Sequence, residues 1–166
     1  MMPETSPILV LGLGNLLLRD DGVGLRLLED LASETPNDDV EFVDGGTQGL
    51  ALLPYLSDRA AVIVLDAIGL GAEPGTVHVL RGEAIGKLRA RRAESAHEGN
   101  GLTLLETARL LGEELHYLAV IGVEPAEVRT GVGLSSVVAA SVPQALDEAR
   151  SMLREMKQLP RAALAV

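Results

Sequence analysis

Leu11-Gly12-Leu13-Gly14-Asn15-Leu16-Leu17-Leu18-Arg19-Asp20-Asp21-Gly22-Val23-Gly24 carries an apolar run into glycines and then into two adjacent carboxylates. The run that leads into it, residues 8–11, has the continuous apolar character of a strand buried on both faces. From Val23 onward, Val23, Leu27, Leu28 and Leu31 recur at helical spacing, with Arg26, Glu29 and Asp30 between them. Asp20 and Asp21 therefore stand where a strand has ended and a helix begins. In open α/β sheets that edge is where ligands bind.

A glycine-rich turn between strand and helix suits phosphate, because helix N-terminal amides attract anions. Here Leu17 stands where the third glycine of the dinucleotide pattern should fall, and two carboxylates would repel a pyrophosphate. A nucleotide-binding α/β domain is thus the weakest of the functional readings. One Asp before a helix serves as an N-cap and complements the helix dipole. A second Asp is not needed for that, and no Glu or Gln three residues on completes a capping box. The spare acid suits a cation.

The pattern repeats downstream. Residues 40–43 alternate like a strand and reach the turn sequence Asp44-Gly45-Gly46-Thr47, and residues 60–65 form an apolar run ending at Asp66. Residues 76–80 read as a further strand at a sheet edge, and 117–122 as another buried strand. Helices are expected over 50–56, within 83–95, over 102–111 and from Ser135 to about residue 157, with Ser135 and Ser136 as ordinary N-caps. Residues 124–133, containing Pro125, read as a loop. Alternating strands and helices predict an α/β fold with a mostly parallel sheet. Parallel pairing would bring the acids to one edge.

At 166 residues the chain suits a single domain over 1–166, with its core within about 8–157. No repeat or linker divides it. Hydrophobic residues are 47% but only Phe42, Tyr55 and Tyr117 are aromatic, so base stacking has little to work with. A formal charge of −10 repels a polyphosphate backbone, which argues against nucleic acid as a partner. The local cluster Arg89, Arg91 and Arg92 reads as a solvated face. The absence of cysteine excludes disulfides, thiolate metal sites and cysteine nucleophiles. The first residues have no basic or apolar signal character, and no apolar stretch is long enough to span a bilayer. A cytoplasmic protein without membrane insertion, monomeric or weakly oligomeric, is expected.

Among three histidines, His97 lies in a loop-like stretch with Ser95, Glu98, Gly99, Asn100 and Gly101, which makes it a better ligand candidate than His78 or His116. A zinc-protease helix would need a second histidine where Gly101 stands, and no Gly-x-Ser-x-Gly elbow exists. Carboxylates and one imidazole remain. Such a set holds a divalent ion weakly unless another molecule completes its shell.

These residues resemble the hydrogenase maturation proteases, endopeptidases that trim the C-terminal extension of the nickel-iron hydrogenase large subunit. The resemblance is carried in order by Gly12-Leu13-Gly14-Asn15, Leu18-Arg19-Asp20-Asp21-Gly22-Val23-Gly24, Asp44-Gly45-Gly46-Thr47, Leu65-Asp66-Ala67, Ser95-Ala96-His97 and Gly133-Leu134-Ser135, from about residue 8 to 156. It implies a three-layer α/β/α sandwich around a twisted, mostly parallel five-stranded sheet, of the phosphorylase/hydrolase-like kind. It also implies a metal-recognising triad, which falls here on Asp21, Asp66 and His97.

The family often has Glu at the first of these positions, and the stretch Glu98-Gly99-Asn100-Gly101 is one residue longer than the commoner spacing. The resemblance further implies that nickel is carried by the large-subunit precursor, so the substrate supplies the missing ligand and cleavage follows nickel insertion. Another divalent ion could occupy the site in the isolated protein. A metal-dependent peptidase is then expected, the ion polarising the scissile carbonyl or a water. Asp44 reads either as the residue orienting or deprotonating that water or as an Asx-turn closing its strand. Gly45, Gly46 and Thr47 would offer backbone amides to the substrate or the developing oxyanion. The rival of a different class is a non-catalytic nickel-sensing or docking protein acting on the same precursor.

Overall fold

A computed structural model describes residues 6–34, 39–92, 101–113 and 115–159, with side chains except those of 88–92. Four parallel strands, β1 (Ile8–Leu13), β2 (Val40–Gly46), β3 (Ala61–Ala67) and β5 (Tyr117–Val123), and the antiparallel β4 (Val77–Arg81) form one sheet in the order β2-β1-β3-β5-β4. The expected five-stranded, mostly parallel sheet is the one found, with residues 77–81 at an outer edge.

Side chains alternate across a pleated strand, and that alternation divides the core in two. Ile8, Val10, Ile63, Leu65 and Ile121 pack with Val23, Leu27 and Leu31 of α1 (Val23–Glu34) and with the apolar stripe of α5 (Ser136–Lys157). On the other face, Leu9, Leu11, Val62, Val64 and Val120 meet Leu56 of α2 (Leu53–Leu56), Ile85 of α3 (Glu83–Arg92) and Leu102, Leu104 and Leu105 of α4 (Gly101–Leu110). The result is a three-layer sandwich. Because both faces are covered, the central strands are apolar up to the acid Asp66 near the end of β3.

Two departures from the sequence reading bear on the acid edge. β2 does not stop at Val43 but continues through Asp44, Gly45 and Gly46, because its ladder with β1 persists to Leu13 across a register shift after Gly12. Pairing with a neighbour overrides the turn composition there. A 3-10 turn (Arg19–Gly22) also stands between β1 and α1, and another (Gly49–Leu52) precedes α2. Asp20 and Asp21 thus lie in a tight turn of their own.

Helix α1 lies close enough to the sheet that a side chain at Gly24 has no room. A Cβ there would sit 2.3 Å from the Leu65 carbonyl oxygen and 2.4 Å from that of Leu13, both backbone atoms. This approach ties the start of α1, and with it the acid turn, to the ends of β1 and β3. Gly24→Ala is expected to cost about 2–3 kcal/mol through forced displacement. That corresponds to a fall of about 8 °C in Tm, readable by thermal denaturation. Among the described residues no helix is long and apolar enough to cross a membrane.

Candidate active site at the carboxyl edge of the sheet

Register brings the strand-end acids to one edge. Gly12 of β1 pairs with Asp44 on one side and Leu65 on the other, so Asp44 is level with Gly12 and Asp66 one residue beyond. Their strands flank β1 and are separated by two strand spacings, about 10 Å. Strand parity sets the faces. Asp66 continues the Val62 and Val64 series toward α4, whereas Asp44 continues Val40 and Phe42 toward α1. The two carboxylates straddle the end of β1 instead of sharing one face.

Asp66 is buried, and its Oδ2 accepts the backbone N–H of Gly101, the first residue of α4, at 3.2 Å. A Cβ on Gly101 would meet Val64 Cγ1 at 2.7 Å, so glycine permits the close approach of this helix end to the acid. Asp21 is half-buried; its Oδ2 accepts the Asn15 N–H at 2.9 Å, while Asn15 Oδ1 accepts that of Leu17 at 2.9 Å. The turn closes only because position 14 is glycine. Gly14 has φ of +129°, and a Cβ would lie 1.9 Å from the Asp21 carbonyl oxygen. The Gly14 N–H reaches across to the Gly46 carbonyl at 3.0 Å, which ties the end of β2 to the same turn.

Asp20 has a different occupation from its neighbour. It is fully buried, with Oδ2 accepting from Ala126 N (2.9 Å), Glu127 N (2.8 Å) and Ser135 Oγ (2.8 Å), and Oδ1 from Ser135 N (2.7 Å). Burial pushes its carboxyl up, but the bonds from Ser135, Glu127 and Ala126 outweigh burial and hold it below its ordinary value. Ser135 does precede α5, yet it is not an ordinary N-cap. Its hydroxyl makes no cap bond to the helix and donates to Asp20 instead.

Asp44 is exposed, and its Oδ1 accepts the Gly46 N–H at 3.0 Å, the Asx-turn contact. Gly46, with φ of +47°, therefore gives its amide to Asp44, so that donor is already engaged within the chain. Gly45 is buried where a Cβ would press on Leu13 (2.7 Å) and Leu52 (2.8 Å), and Thr47 is exposed just beyond.

Glu124 has a structural part that the sequence reading missed. Buried at the end of β5, it accepts from Leu70 N at 3.0 and 2.9 Å, from Gly71 N at 3.1 Å, and faces His78 Nε2 at 2.9 Å. Burial pushes this carboxyl up as well, and the bonds from Leu70, His78 and Gly71 bring it below its ordinary value. It thereby fixes the chain leaving Asp66 for the edge strand. The signal was present, since Glu124 follows a buried strand as Asp66 ends one, but Pro125 gives the position a loop character.

His97 falls in 93–100, outside the described residues, together with Ser95, Glu98 and Asn100. Among the described residues no group of three or more His, Cys, Asp or Glu is placed to hold a metal ion.

A family model described as hydrogenase maturation protease (HycI) matches residues 25–152. The chain is 36% identical over 161 residues to the hydrogenase 2 maturation protease of Escherichia coli, covering 95% of this chain and 98% of that one. It is 36% identical over 157 residues to the hydrogenase expression/formation protein HupD of Rhodobacter capsulatus, covering 92% and 75% respectively. Among solved structures, the hydrogenase maturating endopeptidase HybD from Escherichia coli superposes with a TM-score of 0.80 at 34% identity, over 90% of this chain and 93% of that one. With strand ends, glycine turns and acids disposed on this fold, the chain belongs to the hydrogenase maturation protease family.

Proposed function

We propose that this protein is the endopeptidase that removes the C-terminal extension of a nickel-iron hydrogenase large-subunit precursor after nickel insertion. The observation that carries this reading is the pair of acids from separate elements, Asp21 and Asp66, at the carboxyl edge beside β1 in a member of this family. Nickel belongs to the substrate in this scheme. Asp21, Asp66 and His97 supply oxygen and nitrogen donors that a borderline divalent ion accepts, and the precursor completes the shell. His97 is four residues from Gly101, whose amide is bonded to Asp66. An open ligand set makes cleavage conditional on the metal the precursor carries.

For hydrolysis, water adds across the peptide bond, its hydroxyl going to the carbonyl carbon and its proton to the leaving amine. The substrate's nickel would act as Lewis acid toward the carbonyl or the water. Asp44 is the residue proposed to orient or deprotonate that water, because Oδ1 is held by Gly46 while the carboxylate remains exposed at the edge. Gly45 and Thr47 are the remaining backbone contacts proposed for the substrate strand.

The test is mass measurement of the nickel-loaded precursor after incubation with the protein, beside the nickel-free precursor. Loss of the extension from the loaded form alone is expected. An intact extension in both rejects the protease reading and leaves a nickel-sensing or docking role. Asp44→Asn keeps an oxygen for the Gly46 N–H but loses basicity, so cleavage should slow by about a hundredfold or more. Full cleavage by that variant removes Asp44 from the chemistry.

A further inference from the structure

Beside the acid turn, two segments distant in sequence present apolar side chains to solvent on a fixed backbone. Leu16 (55% exposed) and Leu17 (63%) lie in the first, and Val128 (54%) and Val132 (76%) in the second. Leu18 and Gly131 form a parallel bridge, the Gly131 N–H donates to the Leu17 carbonyl at 2.9 Å, and the Arg19 N–H donates to the Gly131 carbonyl at 3.1 Å. Asp20 pins the other end of the second segment through Ala126 and Glu127. The neighbouring cations are already engaged: Arg19 pairs with Glu127 and donates to the Val132 carbonyl, and Arg129 pairs with the same Glu127. In a chain of charge −10, this rim offers hydrocarbon beside two arginines that share the one Glu127 carboxylate. Apolar side chains held rigidly in water at the border of a site favour a partner that covers them.

Resting on the protease reading above, we propose that this rim docks an apolar segment of the hydrogenase large-subunit precursor, adjoining the peptide bond to be cut. Continuity selects this occupant. The backbone that carries Leu16 and Leu17 also carries Asn15, whose amide holds Asp21, so the rim is continuous with the turn that presents this acid. Docking there contributes to binding and leaves the reacting groups unchanged, which gives it a kinetic signature.

The experiment is steady-state processing of the nickel-loaded precursor by wild type, Leu17→Ser/Val132→Ser and Leu17→Met/Val132→Ile. The serine pair should raise KM about tenfold or more with kcat and Tm unchanged, whereas the apolar pair should match wild type. Unchanged KM in the serine pair, or a fall in kcat alone, overturns the docking role while the protease reading stands. Sedimentation at assay concentration supplies a further check, because a wild-type dimer that the serine pair dissociates would assign the rim to a second copy and overturn the proposal. Failure of wild type to cut any loaded precursor overturns the protease reading, and this inference with it.

Discussion

Asp66→Asn and Asp21→Asn should each yield a folded protein that processes the nickel-loaded precursor at least roughly a thousandfold more slowly than wild type. Asparagine is the informative replacement because each carboxylate also has a structural bond to keep. Asp66 Oδ2 accepts from Gly101 N and Asp21 Oδ2 from Asn15 N, and an amide oxygen can do the same. Alanine at 66 would instead leave the buried Gly101 N–H without that acceptor, at about 1–3 kcal/mol, mixing stability with chemistry. The amide variants remove the negative charge, and with it the strongest attraction for a divalent ion. His97→Ala belongs in the same series. Mass measurement of the precursor gives the rate, and thermal denaturation shows whether the fold has survived. Normal processing by the asparagine variants would reject the acids as the groups that read the metal.

The sequence exposed the sheet, the order of its elements and the edge where the acids gather, because buried parallel strands write themselves as uninterrupted apolar runs. Residues 8–13, 61–65 and 117–123 are such runs. What it could not expose was which acid did what. Asp20 and Asp21 are chemically alike and adjacent, yet one reaches backbone more than a hundred positions away while the other bonds within its own turn. Nothing local distinguishes them. The diverted hydroxyl of Ser135 and the buried carboxylate of Glu124 share that cause, since each is defined by partners from other elements. β2 ran past its expected end at Val43 for a related reason. Asp44-Gly45-Gly46 has turn composition, but β1 was there to pair with it.

Asp20→Asn is expected to destabilise the protein by about 3 kcal/mol, a large share of the 5–15 kcal/mol that ordinarily holds a domain together. The reason lies in the direction of its hydrogen bonds. Three backbone N–H groups and one hydroxyl converge on two carboxylate oxygens, so every partner donates as the structure stands. With the amide nitrogen on the Oδ2 side, it would face the N–H groups of Ala126 and Glu127; flipped, it would face that of Ser135. Either choice sets donor against donor in a fully buried place. The expected signature is a Tm lower by about 10 °C and a lower urea midpoint at unchanged m.

Acid should produce a related loss in wild type. The Asp20 carboxyl is held below its ordinary value in the fold, so its stabilisation is complete above the unfolded carboxyl value of about 4. It is then lost as pH falls through the lower folded value. Glu124, also held down, adds to the same limb. Asp20→Asn should therefore flatten the acid side of a Tm-against-pH curve as well as lower its plateau. A variant matching wild type at both neutral and acid pH would show that the Asp20 carboxylate does not hold the 126–135 segment against the acid turn.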